Sequence, residues 1–226
     1  LEAEKRTTLS ILLDDDTTLN PYHLQVPGNH EPPKVSQLAT PIFNFKHGGK
    51  LDLVPSTLDL MYIALGQSDT KIQPMEERFQ KFVSECRREY DIIFIDCHPA
   101  GSLFTKTSLR NSDHVLIPVV PQKYSVRGIG LMMKFIDAKK VGAAAPMAHI
   151  LFNATSRQRV MAEEQKIRNT PEFSTKCLTA TLKKFSAFSE PEAGSGFVWV
   201  SKKPHSTSAF NNLISVTTEF LDRIGA

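Results

Sequence analysis

The sequence predicts an α/β protein, a three-layer α/β/α sandwich built on a mostly parallel central sheet. Three apolar runs without polar alternation, at residues 92–95, 115–120 and 150–152, are typical of strands buried on both faces. Segments with helical spacing separate these runs, at residues 102–110 and 125–140. Strands and helices that alternate in this way form right-handed βαβ units, whose helices cover a parallel sheet.

The chain before the first buried strand begins irregularly. Residues 14–40 contain prolines and polar turn residues that interrupt every periodic pattern, so we expect a long surface loop with one short helix at residues 35–40. A short strand is predicted at residues 51–54. Ser56 or Thr57 can then cap a helix that continues to Leu65.

The remaining elements complete the predicted sandwich. Apolar side chains recur at helical spacing over residues 75–90, and charged side chains occupy the other face, which predicts an amphipathic helix lying on the sheet. The last third of the chain predicts a helix at residues 157–169, a strand near residues 177–182 and a final helix at residues 206–224. We therefore expect a single domain over residues 1–226.

Composition excludes several classes of protein. A chain of 226 residues that is 41% hydrophobic and 23% charged fits a globular domain and rules out collagen-like, low-complexity and disordered chains. It contains no run of about 18 apolar residues, which a membrane span requires, and its first residues lack the apolar core of a secretion signal. Cys86, Cys97 and Cys177 are far apart and lack metal-ligand spacing, so we expect reduced cytoplasmic thiols.

The net charge of +3 hides an asymmetry between the two halves of the chain. Residues 1–120 carry 12 Lys+Arg and 16 Asp+Glu, whereas residues 121–226 carry 15 and 8. A basic half indicates an anionic partner, nucleic acid first, and a solvated lysine-rich surface is the simpler alternative.

Polar residues follow the predicted strands at their carboxyl ends, where parallel sheets place their chemistry. Asp96 stands where nucleotide hydrolases place a carboxylate that supports Mg²⁺, although an isolated Asp there is also a common turn or capping residue. Asn153 closes the third strand, and its amide can pair with the edge of a base or form a turn. The middle strand leaves the sheet through Pro118 and Pro121.

Four segments around these strand ends share the spacing of one family's motifs. The sequence is YDIIFIDCHP at residues 90–99, SDHVLIPVVP at 112–121, LDLVPSTLDL at 51–60 and AFSEPEAG at 187–194. The first resembles the Walker B segment of the ParA/MinD family of partition ATPases, and the others are similar to the family's segments before and after it. The resemblance covers most of residues 7–225 and implies a P-loop NTPase-like fold.

The family's phosphate-binding loop has no counterpart in this sequence. Members carry a deviant P-loop, Lys-Gly-Gly-x-Gly-Lys-Thr, whose backbone N–H groups and lysines bind phosphates and whose Thr holds Mg²⁺. The nearest string, KHGGK at residues 46–50, is followed by a strand, so we predict a hairpin turn there. We expect that the first βαβ unit lies outside the sequence given. Natural loss of the P-loop in a non-hydrolysing member is the alternative.

The resemblance implies a nucleotide site in this chain. Asp96 would be the Walker B carboxylate, acting on Mg²⁺ through water. Residues 98–105, including His98, Pro99 and Gly101, would form the switch that senses the γ-phosphate. Asn153 would recognise the adenine edge. The backbone around Leu182, Lys183 and Lys184 would pack on the base. Two of these residues depart from the family's pattern: Lys183 replaces the usual Pro, and Lys184 stands where Arg is common.

The resemblance also implies a function. It indicates a partition ATPase that uses ATP and Mg²⁺, forms a homodimer on ATP and binds DNA non-specifically in the cytoplasm, associated with the nucleoid. A centromere-binding partner protein would stimulate hydrolysis. The DNA contacts would come from four cations of the basic half, Arg157, Lys184, Lys202 and Lys203.

Two other functions remain open from the sequence. A P-loop-less chain of this fold could be a non-hydrolysing binding module. A MinD-type membrane-positioning ATPase is the less favoured alternative, because that branch ends in a basic amphipathic helix. The last eight residues here, 219–226, have balanced charge, so we expect no membrane partner.

Overall fold

The chain divides into two units, Leu1–Asn111 and Ser112–Ala226. The computed structural model describes residues 6–14, 19–20, 22–28, 31–66, 69–97, 103–138, 145–192, 194 and 196–226. Within these residues, no helix is both long enough and apolar enough to cross a membrane.

The first unit is mainly helical, and its core forms where short helices pack on one long amphipathic helix. Ile11, Val35 and Phe82 are almost completely buried in it. Arg78 of the long helix is buried too, and its guanidinium donates to the carbonyl of Ile11 at 2.8 Å. The elements of this unit are α1 (Leu9–Leu12), α2 (Val35–Leu38), β1 (Thr40–Asn44), β2 (Lys50–Leu53), α3 (Leu60–Gly66), α4 (Asp69–Glu89) and α5 (Leu103–Arg110).

The predicted hairpin turn at residues 46–50 is confirmed. Strands β1 and β2 pair antiparallel, and the Phe45 N–H donates to the Gly49 carbonyl at 3.1 Å across the turn. Gly48 and Gly49 have φ values of 90° and 84°, a left-handed backbone that residues with a Cβ rarely adopt. The KHGGK string is therefore a β-turn between two strands, and its glycines serve the turn.

The predicted strand at residues 92–95 is not present. The described chain from 91 to 97 contains no strand, and Phe94 is 74% exposed, so the expected burial on both faces is wrong. A strand is stable only when a neighbour takes its backbone hydrogen bonds. No described residue pairs with this segment as a strand, and only Ile93 of its apolar side chains packs against the described core of the unit, while Ile92 and Phe94 are exposed.

Helix boundaries in the first unit also differ from the prediction. Helix α3 begins at Leu60, after turns in which the Leu60 N–H donates to the Thr57 carbonyl at 3.2 Å, and the hydroxyl of Ser56 bonds that of Thr8 at 3.0 Å. Helix α2 stops at Leu38, and the chain enters β1 at Thr40.

The second unit has the predicted parallel sheet. Strands β3 and β4 pair in parallel register, with Ile117 opposite Ile150 and Val119 opposite Phe152. The elements of this unit are β3 (His114–Val119), α6 (Ser125–Ala138), β4 (Met147–Phe152), α7 (Ala162–Arg168), α8 (Pro171–Ser174), two 3₁₀ helices at Ser186–Ser189 and Val198–Val200, and α9 (Ser206–Ile224).

Both faces of β4 are covered, so the second unit has three layers. Ile150 and Phe152 pack against α6, α7 and α8, through side chains that include Ile129 and Ile167. Leu151, which points to the other face, packs against Val216 and Phe220 of α9. Complete burial of such side chains stabilises a fold by about 1.5–3 kcal/mol each. This arrangement is the α/β/α sandwich that the apolar runs predict.

The predicted strand at residues 177–182 is only partly formed. The segment runs parallel to β4, but the structure shows two isolated bridges, Ile150 with Cys177 and Thr155 with Lys183. Between them, the N–H groups of Thr179 and Ala180 bind side-chain oxygens instead of a strand. The backbone therefore leaves the ladder for a few residues and returns to it.

The helix predicted at residues 157–169 begins later, at Ala162. The Gln158 N–H donates to the Ser156 hydroxyl at 3.3 Å, which gives the backbone a local alternative to the helix. The final helix, in contrast, has the predicted bounds, Ser206–Ile224.

Candidate functional site

The carboxyl ends of β3 and β4 meet at Asn153. Its N–H donates to the Val119 carbonyl at 2.8 Å, and its Oδ1 accepts the N–H of Ala154 at 2.7 Å. Ala154 has a φ of 53°, an unusual conformation for a residue with a Cβ. The chain turns sharply here, and the half-buried Asn153 carboxamide is fixed at the strand end.

The next residue, Thr155, joins this strand end to the segment predicted to contact the base. Its N–H donates to the Leu182 carbonyl at 3.2 Å, and its carbonyl accepts the N–H of Lys184 at 3.0 Å. Its buried hydroxyl lies 3.1 Å from that of Thr181. The structure therefore brings Asn153 and residues 182–184 together, as the sequence predicts for one site.

Asn212 on α9 holds the same segment from the other side, which the sequence analysis did not foresee. Its Oδ1 accepts the N–H of Lys183 at 2.8 Å, and its Nδ2 donates to the Thr181 carbonyl at 2.9 Å. The carboxamide thus makes the two hydrogen bonds that a neighbouring strand would make. A polar residue three positions after the buried Ala209, on a helix with an apolar face, is the signal that could have found it.

Glu219, two turns further along α9, binds the part of the segment that leaves the ladder. Its carboxylate accepts the N–H groups of Thr179 and Ala180 at 2.7 and 2.6 Å and pairs with Arg223 at 2.9 Å. Burial by itself raises the pKa of Glu219, but the hydrogen bonds from Ala180 and Thr179, together with Arg223, outweigh it and hold the pKa below its ordinary value. The carboxylate is therefore an ionised part of the support.

The four cations predicted to contact DNA differ in how free they are. Arg157, Lys184 and Lys202 are exposed, and the Arg157 guanidinium lies 5.3 Å from the centre of the Phe185 ring. Lys203 is half-buried, and its ammonium lies 3.0 Å from the Ser189 hydroxyl and 3.7 Å from the Glu190 carboxylate. Lys203 is therefore held by polar partners within its own unit, whereas Arg157 rests on an aromatic ring.

The remaining predicted site residues lie in the first unit. Asp96 is exposed and follows the unpaired segment at residues 92–95. Its charge, after burial, contributes to raising the pKa of Cys97. His98, Pro99 and Gly101 lie outside the described residues.

The donor set at Asn153 fits an adenine base. A carboxamide presents one acceptor and two donors, and its oxygen has a second lone pair beside the one that Ala154 uses. The half-buried Leu182 is tied to the same strand end, because its N–H donates to the Phe152 carbonyl at 2.8 Å. For Mg²⁺, the described residues contain no cluster of three His, Cys, Asp or Glu side chains.

Comparisons with known proteins identify the family. A family model described as an AAA domain, AAA_31, matches residues 16–144, more than half of the chain. The chain belongs to this AAA domain family, and it is a ParA-like member of the ParA/MinD group.

Individual relatives agree with this assignment. The chain is 34% identical over 94 residues to the chromosome partitioning protein ParA of Myxococcus xanthus, covering 41% of this chain and 32% of that protein. It is 30% identical over 89 residues to the sporulation initiation inhibitor protein Soj of Bacillus subtilis, covering 38% of this chain and 33% of that protein. The matched segments thus span about a third of these relatives' own length.

A solved structure shares the fold. The plasmid partition protein of Borrelia burgdorferi, solved with AMPPNP bound, matches with a TM-score of 0.57 and 19% sequence identity, over 76% of this chain and 64% of that one. This likeness confirms the α/β fold class of P-loop NTPase type.

Proposed function

We propose that this chain belongs to an ATP-dependent DNA partition protein that dimerises on ATP and binds DNA non-specifically. The observation that carries the proposal is the strand-end site of the second unit, where Asn153 and residues 182–184 are joined by the hydrogen bonds of Thr155. A carboxamide next to a supported apolar backbone segment suits the edge and the face of a purine.

The other residues take roles in the same cycle. Asp96 acts on Mg²⁺ through water, and His98, Pro99 and Gly101 belong to the switch that responds to the γ-phosphate. Arg157, Lys184, Lys202 and Lys203 supply contacts to DNA phosphates. The relatives' names support a role in chromosome or plasmid partition. A centromere-binding partner protein, a homodimer and nucleoid association in the cytoplasm are parts of this proposal.

The base preference tests the nucleotide site directly. We expect the chain to bind a fluorescent ATP analogue more tightly than the matching GTP analogue. In N153A the ratio of the two dissociation constants should fall about tenfold, because one hydrogen-bonding side chain is removed. Asn211→Ala, an exposed asparagine on α9, is the matched control. Equal binding of both nucleotides by the unaltered chain would refute the assignment of Asn153.

A second measurement addresses the DNA-binding step. Binding to non-specific duplex DNA should appear with ATP and not with ADP or without nucleotide, and should weaken steeply with salt, because phosphate contacts release counterions. A non-hydrolysing binding module of the same fold is the alternative function. Salt-sensitive DNA binding that is equal with and without ATP would support this second function.

A further inference from the structure

Two aromatic rings are stacked on each other at the surface of the second unit. The centres of the Phe197 and Trp199 rings are 4.5 Å apart, and their planes differ by 14°. The two residues are 41% and 54% exposed. Because each ring covers one face of the other, the exposed area of Trp199 lies on its outer face and edges. Exposed apolar side chains that form a contiguous patch mark interaction sites more often than apolar side chains scattered singly over the surface.

The backbone below holds this pair in place. Val198, between the two rings in sequence, is buried and packs with Ala187 and Ala209, so its neighbours are directed outward. Gly196 has a φ of 97°, and a Cβ there would lie 3.0 Å from a methyl group of Val200, so the turn into the pair requires glycine. The stack is thus presented by a fixed 3₁₀ turn that is anchored in a hydrophobic core.

The sequence that carries the stack is basic. Between Glu192 and Glu219 the sequence contains no acidic residue, whereas it contains two lysines directly after the stack. Lys202 is exposed, whereas Lys203 lies 3.0 Å from the Ser189 hydroxyl and 3.7 Å from the Glu190 carboxylate, so Lys202 is the cation offered to a ligand. The Glu190 carboxylate is engaged by Ser201 and Lys203, whereas Lys202, three residues after Trp199, is exposed. A flat aromatic face followed in sequence by an exposed lysine matches an anionic ligand that also carries rings.

We propose that the Phe197–Trp199 stack and Lys202 bind single-stranded nucleic acid, with a base on the outer face of Trp199 and a phosphate at Lys202. Single strands bind by base stacking on aromatic side chains in a basic surface. In a duplex the base faces are covered by their neighbours, so this surface prefers unpaired strands. The proposal goes beyond the duplex contacts of the proposed function and requires no ATP. A protein partner would also bury the aromatic pair. A surface built for such a partner would not require Lys202, and it would not bind single strands more tightly than duplex.

The fluorescence of Trp199 is a direct readout, because it is the single tryptophan of the chain. We expect a poly-dT oligonucleotide to quench it at concentrations at which a duplex of the same length does not, with and without ATP. Equal quenching by single strand and duplex, or no quenching by either, would overturn the proposal.

Variants separate stacking from charge. In anisotropy titrations with labelled single strand, W199A and F197A should each weaken binding about tenfold, because a stacked base contributes on this scale. K202Q should weaken binding and lower its salt dependence. Tyr124→Ala is the matched control, since Tyr124 is 76% exposed and lies beside Lys123 in the same unit.

The outcomes distinguish this proposal from its alternatives. If Tyr124→Ala and W199A lost equal affinity for the labelled single strand, a specific site at Trp199 would be contradicted. If W199A changed the sedimentation of the protein alone and left single-strand affinity intact, the stack would be a protein contact and the proposal would be wrong. If the unaltered chain showed no ATP-dependent binding to duplex DNA but single strands still quenched Trp199, the proposed function would be refuted and this site would remain supported.

Discussion

At the scale of single residues, side chains of α9 take the place of a missing strand neighbour. The backbone at residues 179–183 would be bonded to another strand in a longer ladder. Here Asn212 bonds the Thr181 carbonyl and the Lys183 N–H, and Glu219 bonds the N–H groups that precede them. Backbone groups removed from water need such partners, because an unpaired one costs about 1–3 kcal/mol. The candidate base-binding segment therefore depends on a helix that contributes no side chain to the base.

Truncation of Asn212 tests this dependence. N212A removes both hydrogen bonds at once, and we expect the free energy of unfolding to fall by about 1–2 kcal/mol, because the groups are half-buried and water can replace part of each bond. Urea denaturation monitored by circular dichroism measures the change. Asn211→Ala, on the exposed side of the same helix, should stay within about 0.5 kcal/mol of the unaltered chain. Equal stability of the two variants would contradict the structural role of Asn212.

At the scale of elements, the sequence predicted the hairpin, the final helix and the parallel pair β3–β4, and it failed where a strand lacks a regular partner. The hairpin at residues 46–50 follows from two adjacent glycines between β-forming residues, and α9 follows from its apolar periodicity. The segments at 92–95 and 177–182 have equally strand-like sequences, but a strand also needs a partner at a distance in sequence. Phe94 stays exposed where no described residue pairs with its segment, and Glu219 competes for the backbone of the second. The local pattern contained neither fact.

The site residues divide in the same way. Asn153 could be predicted because it ends an apolar run, and strand ends carry function in parallel sheets. Thr155 and Asn212 could not, because their roles depend on which backbone groups the fold brings within hydrogen-bonding distance.

Strands β3 and β4 also carry a pair of histidines. His114 Nδ1 lies 3.1 Å from His149 Nε2, and His149 packs edge-on against Phe220. One ring nitrogen must donate and the other accept, so the contact requires a neutral ring. Burial first, then the charges of His114 and Arg223, lower the pKa of His149 below its ordinary value.

This pair predicts a loss of stability at mildly acidic pH. Because the pKa of His149 is lower in the folded state than in the unfolded state, the unfolded chain binds the proton first as pH falls below about 6.5. Folding stability should therefore decrease between pH 7 and 5. H149L should flatten this part of the profile, measured by urea denaturation at each pH. His47→Leu, in the exposed hairpin turn, is the control and should keep the slope. An unchanged slope in H149L would show that other groups cause it.

At the scale of the whole molecule, positive charge is concentrated in one unit. Ser112–Ala226 contains 15 Lys+Arg and 9 Asp+Glu, whereas Leu1–Asn111 contains 12 and 15. The strand-end site, the exposed cations and the aromatic stack all belong to the basic unit. Binding of a polyanion by this unit is driven by release of counterions, so its strength should follow the number of cations that contact phosphates.

Neutralising exposed cations in each unit tests whether the asymmetry has this function. The plot of log K against log salt for duplex DNA has a negative slope, to which each phosphate contact adds about 0.9 in magnitude. We expect a triple variant of the basic unit to make this slope less steep by about 3. Its substitutions are Arg157→Gln, Lys184→Gln and Lys202→Gln. The charge-matched control removes three exposed cations of the first unit, by Lys34→Gln, Lys46→Gln and Arg88→Gln. Net charge falls equally in both, so a general attraction predicts equal losses, whereas a DNA-contacting surface on the basic unit predicts a change in slope for the first variant alone. Equal slopes in the two variants would reject that surface.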